Sequence, residues 1–275
     1  IKVKDASREI TIFEMLNHSA GMAQDVLSME HYAIAGLRPK EGEKLCDAIP
    51  RIKDLLLDCE PGTSMAYSAH VAFDLMGYII ELVSDMPYSE YLKKYITEPL
   101  GMKDTVFHPD EEQLSRLVKI YEADGEIKSQ PDVAQNFIGF PRSYEGGSAC
   151  LLGTVPDYMQ FAQCLLNGGS LDGVQILKPE TVVYMRTPHI SPCVKGFNKD
   201  QVWGISMRIV HTDKADSVLP KGSYGWSGAY GTHFFVCPKL DLAAVYASNM
   251  TNGGGAGAPT AFEFEEDIIN AIKNA

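Results

Sequence analysis

Glu60-Pro61-Gly62-Thr63-Ser64-Met65-Ala66-Tyr67-Ser68 runs straight into an apolar segment from Val71 to Val83. The Pro-Gly pair marks a turn that fixes the backbone. Beyond it, Phe73, Met76, Gly77, Ile80 and Val83 recur at three- and four-residue spacing, which predicts a helix with one buried face. Tyr67 therefore stands at the mouth of a buried helix. A phenol held rigidly there suits acid–base work; the simpler reading is a helix-entry tyrosine packed on the core. What favours the first is a second stretch far downstream, Gly225-Trp226-Ser227-Gly228-Ala229-Tyr230-Gly231.

Outward from Tyr67, the chain falls into helices first and strands later. Thr11 and Glu14 have capping-box spacing ahead of a short helix that is predicted to stop near Ser19-Ala20-Gly21. A polar, irregular region is expected from there to about Leu57. A further short helix is expected from Ser89 to Ile96. Gly146-Gly147-Ser148-Ala149 leads to Thr154-Val155-Pro156-Asp157, a helix start with Pro in its first turn, and Lys178-Pro179-Glu180-Thr181 is another. Then the texture changes. Val202 to Val210, Thr232 to Val236 and Leu242 to Ser248 are short β-branched or aromatic runs, the last two joined through Pro238-Lys239-Leu240-Asp241. A helix from Ala261 to Lys273 completes the order. Helices, then antiparallel strands, then one helix indicate an α+β fold with the sheet segregated. The boundary is drawn near residue 195, with a mainly helical region over 1–195 and sheet plus final helix over 196–275.

Composition narrows the function. The 275 residues are 45% hydrophobic and carry a formal net charge of −12, which argues against a nucleic-acid partner, since phosphate binding needs clustered Lys and Arg. No apolar run reaches membrane-spanning length. Asp110-Glu111-Glu112 and Glu263 to Asp267 read as solvated faces. The six cysteines (Cys46, Cys59, Cys150, Cys164, Cys193, Cys237) form no CxxC pair and read as free buried thiols, which leans toward a reducing, cytoplasmic compartment. The seven histidines make no HExxH or His-Cys cluster, so neither metal nor cofactor is expected. His18 and Ser19 read as helix-terminating residues, His233 as a strand residue on a solvated face, and Gly146-Gly147 as a tight helix entry. Ile1 opens no signal peptide.

Taken together, several collinear segments resemble the serine β-lactamase and penicillin-binding-protein superfamily, in its class C-like branch of esterases, D-peptidases and transpeptidases. They are Thr11 to Gly21, Pro61-Gly62-Thr63 with Tyr67-Ser68, Gly77-Tyr78-Ile79-Ile80-Glu81, Pro99 to Thr105, Gly146-Gly147-Ser148, Leu166-Asn167-Gly168-Gly169 and Trp226-Ser227-Gly228-Ala229. The resemblance implies three motifs around one cleft: Ser-x-x-Lys, where the amine takes or orients the proton of the serine nucleophile; Tyr-x-Asn, whose phenol shuttles it; and an edge-strand triplet that gives a backbone N–H to the oxyanion hole.

On these positions the second motif is Tyr67-Ser68-Ala69, with Ala69 where the family has Asn, and the third is Trp226-Ser227-Gly228, followed by Ala229 as the oxyanion donor. Ala69 and Trp226 each remove a polar handle for β-lactams or charged peptides, so a small-molecule ester or uncharged amide is the expected substrate, with Trp226, Ser227, Gly228 and Ala69 as its contacts. No Ser or Thr has a Lys three residues later. Either a segment upstream of Ile1 carries the nucleophile, which the mid-fold start and absent Met favour, or the protein is a catalytically silent binding member of the same fold. A third reading takes Gly225 to Ala229 as a near match to the Gly-x-Ser-x-Gly elbow of α/β-hydrolases, with Ser227 attacking; it requires a helix directly after Ser227. The oligomeric state is left open.

Overall fold

The computed structural model describes residues 4–22, 36, 38–68, 70–132, 134–136, 139–189, 201–213, 217–251 and 258–274. Ala69 and Cys193 lie outside them.

The helical part begins with α1 (Ile12–Leu16), whose capping box is complete: Thr11 Oγ1 accepts from the Glu14 N–H, and Glu14 reaches back to the Thr11 N–H. The helix ends earlier than the glycine signal suggested. Its last residue is Leu16, and His18 then takes a left-handed φ of 61° that turns the chain inward. The region expected to be irregular contains α2 (Leu45–Ala48) and a 3₁₀ turn over Ile49–Asp54. Leu45, Ala48 and Ile49 are buried there, so tertiary packing orders a stretch that has little helical periodicity.

The apolar segment after Tyr67 is α3 (Val71–Ser84), ended by Asp85 in the left-handed conformation. The short α4 (Tyr88–Leu92) continues as a π-turn over Lys93–Thr97, and α5 (Glu111–Ser115) is capped by Asp110. Two small hairpins follow, β1 (Ile120–Tyr121) with β2 (Ile127–Ser129), and β3 (Ser170–Leu171) with β4 (Val174–Gln175). Between the hairpins lies α6 (Val155–Leu166), with Thr154 as its N-cap, and after them α7 (Pro179–Met185). Gly146 and Gly147 are not a helix entry. A Cβ on Gly147 would sit 2.4 Å from the Phe73 carbonyl oxygen, so both glycines are needed for close approach to α3.

The main sheet is a five-stranded antiparallel meander, β5 (Gln201–Trp203), β6 (Arg208–Val210), β7 (Tyr224–Ser227), β8 (His233–Cys237) and β9 (Leu242–Tyr246). The run expected as one strand from Val202 to Val210 is two, because Ser206 adopts a φ of 59° and folds β5 back on β6. One face of the sheet packs on α6 through Tyr224, Phe234 and Val236 against Ala162 and Leu165. The other packs on α8 (Pro259–Lys273) through Phe235, Cys237 and Ala244 against Ile269. A fully buried Phe or Val contributes about 1.5–3 kcal/mol, so β8, buried on both faces, anchors the sheet.

Candidate active site

Tyr67 is held by a zipper between two loops. The Gly62 N–H donates to the Ser19 carbonyl at 2.7 Å and the Ala66 N–H to the His18 carbonyl at 2.8 Å. The Ser68 N–H donates to His18 Nδ1 at 3.2 Å. Gly62, at a φ of 78°, leaves room for Arg8 and Glu14, which pair with each other, and Arg8 also donates to the Pro61 carbonyl at 2.8 Å. On the helix side, Ser68 Oγ accepts from the Ala72 N–H at 3.0 Å. The turn, α1 and α3 thus fix the residue on either side of the phenol.

The phenol itself faces the sheet. Trp226 Nε1–H donates to Tyr67 Oη at 2.9 Å, although 159 positions separate the two residues. Their ring centroids are 5.5 Å apart, and Trp203 packs on Trp226 at 4.5 Å. His18 completes the cluster, 4.4 Å from Tyr67 and 4.5 Å from Trp203. His18 is 2% exposed, and burial pushes its imidazole down to about 4, so the ring is neutral. Its Nδ1 accepts the Ser68 N–H, which leaves the proton on Nε2. Tyr67 remains 38% exposed. Burial of the phenol raises its pKa, and the Trp226 N–H partly offsets that.

Strand alternation sends Trp226 and Ser227 to opposite faces. Trp226 packs toward α6, whereas Ser227 Oγ lies 2.8 Å from His233 Nδ1 on the α8 side. Ser227 thus pairs with His233, and it also lines the cavity beside Trp226. β7 also turns back into β8 with no helix following, so Ser227 is not on a hydrolase elbow and that reading is corrected. His233 is corrected too. It is 3% exposed, bonded to Ser227 and close to Glu265, which is itself fully buried within the acidic run expected to be solvated. Burial alone would raise the Glu265 carboxyl, but His233 and Arg208 outweigh it and hold the group below the usual range.

The turn after Ser227 is tight. Gly228 N–H donates to the Thr232 carbonyl at 2.7 Å, and Gly231 N–H to the Gly228 carbonyl at 3.1 Å. A Cβ on Gly228 would meet Thr232 Oγ1 at 2.2 Å. Ala229 sits exposed within this turn, and its N–H has no hydrogen-bond partner among the described residues. Beside Trp226 and Gly228 lies a cavity of about 350 Å³ lined also by Tyr158, Ser227, His233 and Phe234, with no Asp, Glu, Lys or Arg in its wall. A larger cavity of about 640 Å³, between Leu92, Met102 and Phe107, contains none of the candidate residues.

Of the sequence candidates, Tyr67 and Trp226 are in contact, and Gly228 and Ala229 follow directly on the same turn. His18 and Trp203, which enclose the phenol, carried no motif; the signal available was only their aromatic type. The described residues hold no cluster of His, Cys, Asp or Glu suited to a metal ion. Cys46, Cys59, Cys150, Cys164 and Cys237 are free thiols, but Cys46 is exposed and Cys59 only half-buried, so the buried reading holds for Cys150, Cys164 and Cys237. No described helix is long and apolar enough to cross a membrane.

Comparison with known proteins agrees with this architecture. EstCE1, a hydrolase with promiscuous acyltransferase activity, shares the fold with a TM-score of 0.78 at 21% identity, over 94% of this chain and 72% of its own. Protein Rv1367c of Mycobacterium tuberculosis is 30% identical over 254 residues, 88% of this chain and 62% of its own length. Penicillin-binding protein 4 of Amycolatopsis lactamdurans is 25% identical over 255 residues, 92% of this chain and 62% of its own. The chain thus spans about three-fifths of the length of these curated relatives. The family model described as Beta-lactamase matches residues 2–264, and the chain belongs to that family, within the serine β-lactamase and penicillin-binding-protein superfamily.

Proposed function

We propose that this chain supplies the proton-handling and oxyanion parts of a serine acyl-transfer site, and that a Ser-x-x-Lys pair outside it supplies the nucleophile. The observation that carries the reading is the bond from Trp226 Nε1–H to Tyr67 Oη, which joins the helical part to the sheet edge beside Ala229. The Ala229 N–H, without a partner among the described residues, is the natural partner for an oxyanion.

In the proposed reaction the serine Oγ attacks an acyl carbonyl and its proton passes to Tyr67 with the help of the lysine. The carbonyl oxygen becomes an oxyanion held by the Ala229 N–H and the nucleophile's own N–H. Tyr67 then returns the proton to the departing alcohol or amine, and water or a second alcohol releases the acyl group by the reverse sequence. The raised pKa of Tyr67 keeps it a phenol at neutral pH when no cation is near. A lysine ammonium beside it lowers that pKa and makes proton uptake possible. The cavity beside Trp226, with no Lys or Arg in its wall, favours a neutral acyl ester over a substrate that presents a carboxylate.

The test is turnover of p-nitrophenyl butyrate and nitrocefin by the longer protein that carries this chain, alongside its Tyr67→Phe variant. We expect esterase activity to dominate and Tyr67→Phe to lower it by ~10²–10⁴-fold. The folded state should survive, because the one hydrogen bond lost is worth about 1 kcal/mol. Efficient nitrocefin hydrolysis without esterase activity overturns the substrate class, and an unaffected Tyr67→Phe variant overturns the mechanism.

A further inference from the structure

Arg208, Glu265 and His233 bring three ionisable side chains together between the sheet and α8, with side-chain exposures of 6%, 0% and 1%. Arg208 Nη2 lies 2.6 Å from Glu265 Oε1, and His233 Nε2 lies 3.1 Å from the same oxygen. On the other side of the imidazole, His233 Nδ1 lies 2.8 Å from Ser227 Oγ. The polar chain therefore runs from β6 through α8 and β8 to end on the last residue of β7.

As a source of stability this arrangement is poor. Arg208 Nε, His233 Nε2 and Glu265 Oε2 are all buried without a hydrogen-bond partner, so His233 meets Glu265 as a close contact only, and a buried ion pair with unmet polar atoms often costs as much as it contributes. Its position is more informative. Ser227 and His233 are register partners at the mouth of the β7–β8 turn, and Gly228-Ala229 begins immediately beyond. A hydrogen bond across that mouth, backed by a helix, sets the direction in which the turn leaves the sheet.

We propose that Arg208, Glu265, His233 and Ser227 form a positioning relay that clamps the β7–β8 turn to α8 and so fixes the Ala229 N–H. The inference rests on the proposed role of Ala229 in oxyanion binding. Arg208 and Glu265 stand outside the cavity beside Trp226, whereas Ser227 and His233 form part of its wall. Ser227, which stands within the active-site motif, acts through its neighbour's backbone.

Hydrogen exchange of the chain, followed by NMR, tests the clamp without any activity. In Ser227→Ala the Gly228 and Gly231 amides, which close the turn, should exchange about tenfold faster while Phe235 in the strand core is unchanged, and Ser227→Thr, which keeps the hydroxyl, should restore them. Unchanged turn amides, or a uniform acceleration throughout the sheet, overturn the clamp. In the longer protein, Ser227→Ala should lower kcat about tenfold at constant KM, as expected of an oxyanion donor displaced by a fraction of an ångström. Faster turn exchange with normal kcat leaves the clamp and overturns its link to catalysis. An unaffected Tyr67→Phe variant overturns instead the acyl-transfer reading on which that link depends.

Discussion

His18 and Asp74 titrate in opposite senses, and both touch the helix entry that presents Tyr67. Burial holds the His18 imidazole down to about 4 from an ordinary 6.5. Its contribution to stability is complete above 6.5 and is lost as pH falls toward 4. Burial raises the Asp74 carboxyl from 3.8 to about 6, against the hydrogen bonds from Ser148 and Tyr144 that favour its ionised form. That contribution is complete below 3.8 and is lost as pH rises through 6. Each shift corresponds to about 3 kcal/mol, so the two nearly cancel across the interval. Asp74→Asn leaves the His18 slope exposed. Urea unfolding should show the stability gap between wild type and this variant shrinking by about 3 kcal/mol from pH 4 to pH 6.5, and a gap independent of pH contradicts the assignment.

At the scale of elements, the sequence was readable where punctuation and periodicity agree. The α3 helix follows a Pro-Gly turn, α6 has Thr154 and Pro156 at its start, and β8 and β9 flank a Pro-containing turn, so each lies within a few residues of its expected place. The split between β5 and β6 was hidden because Ser206 carries no glycine-like signal for its positive φ. The Arg208–Glu265–His233 cluster was hidden because charged residues read as surface. One clue was available: Ala261, Glu265 and Ile269 repeat every four residues, and all three are buried on the sheet-facing side of α8. Tyr67 and Trp226 could be paired only through family resemblance, since no local pattern spans their separation. The strand packing has its own test. A Cβ at Gly225 would stand 2.1 Å from the Phe234 carbonyl oxygen, across the β7–β8 ladder. Gly225→Ala should therefore lower stability by about 3 kcal/mol or more in urea unfolding, and a near-neutral result means the two strands are not paired in this register.

For the molecule as a whole, the central proposal is that Tyr67, Trp226 and Ala229 form an acyl-transfer site that a Ser-x-x-Lys pair outside the chain completes. The relatives it matches are longer than this chain, and none of its own Ser or Thr residues has a lysine three positions on. Among the described residues, Ser227 is the serine whose hydroxyl meets a histidine, and that partner is the buried His233 rather than Tyr67. Reaction with a fluorophosphonate or a fluorescent penicillin, read by intact mass and peptide mapping, asks the question directly. The account predicts no adduct on the 275-residue chain and one adduct, on the serine of a Ser-x-x-Lys segment, in the longer protein. Stoichiometric labelling of the chain alone at Ser227 would contradict it.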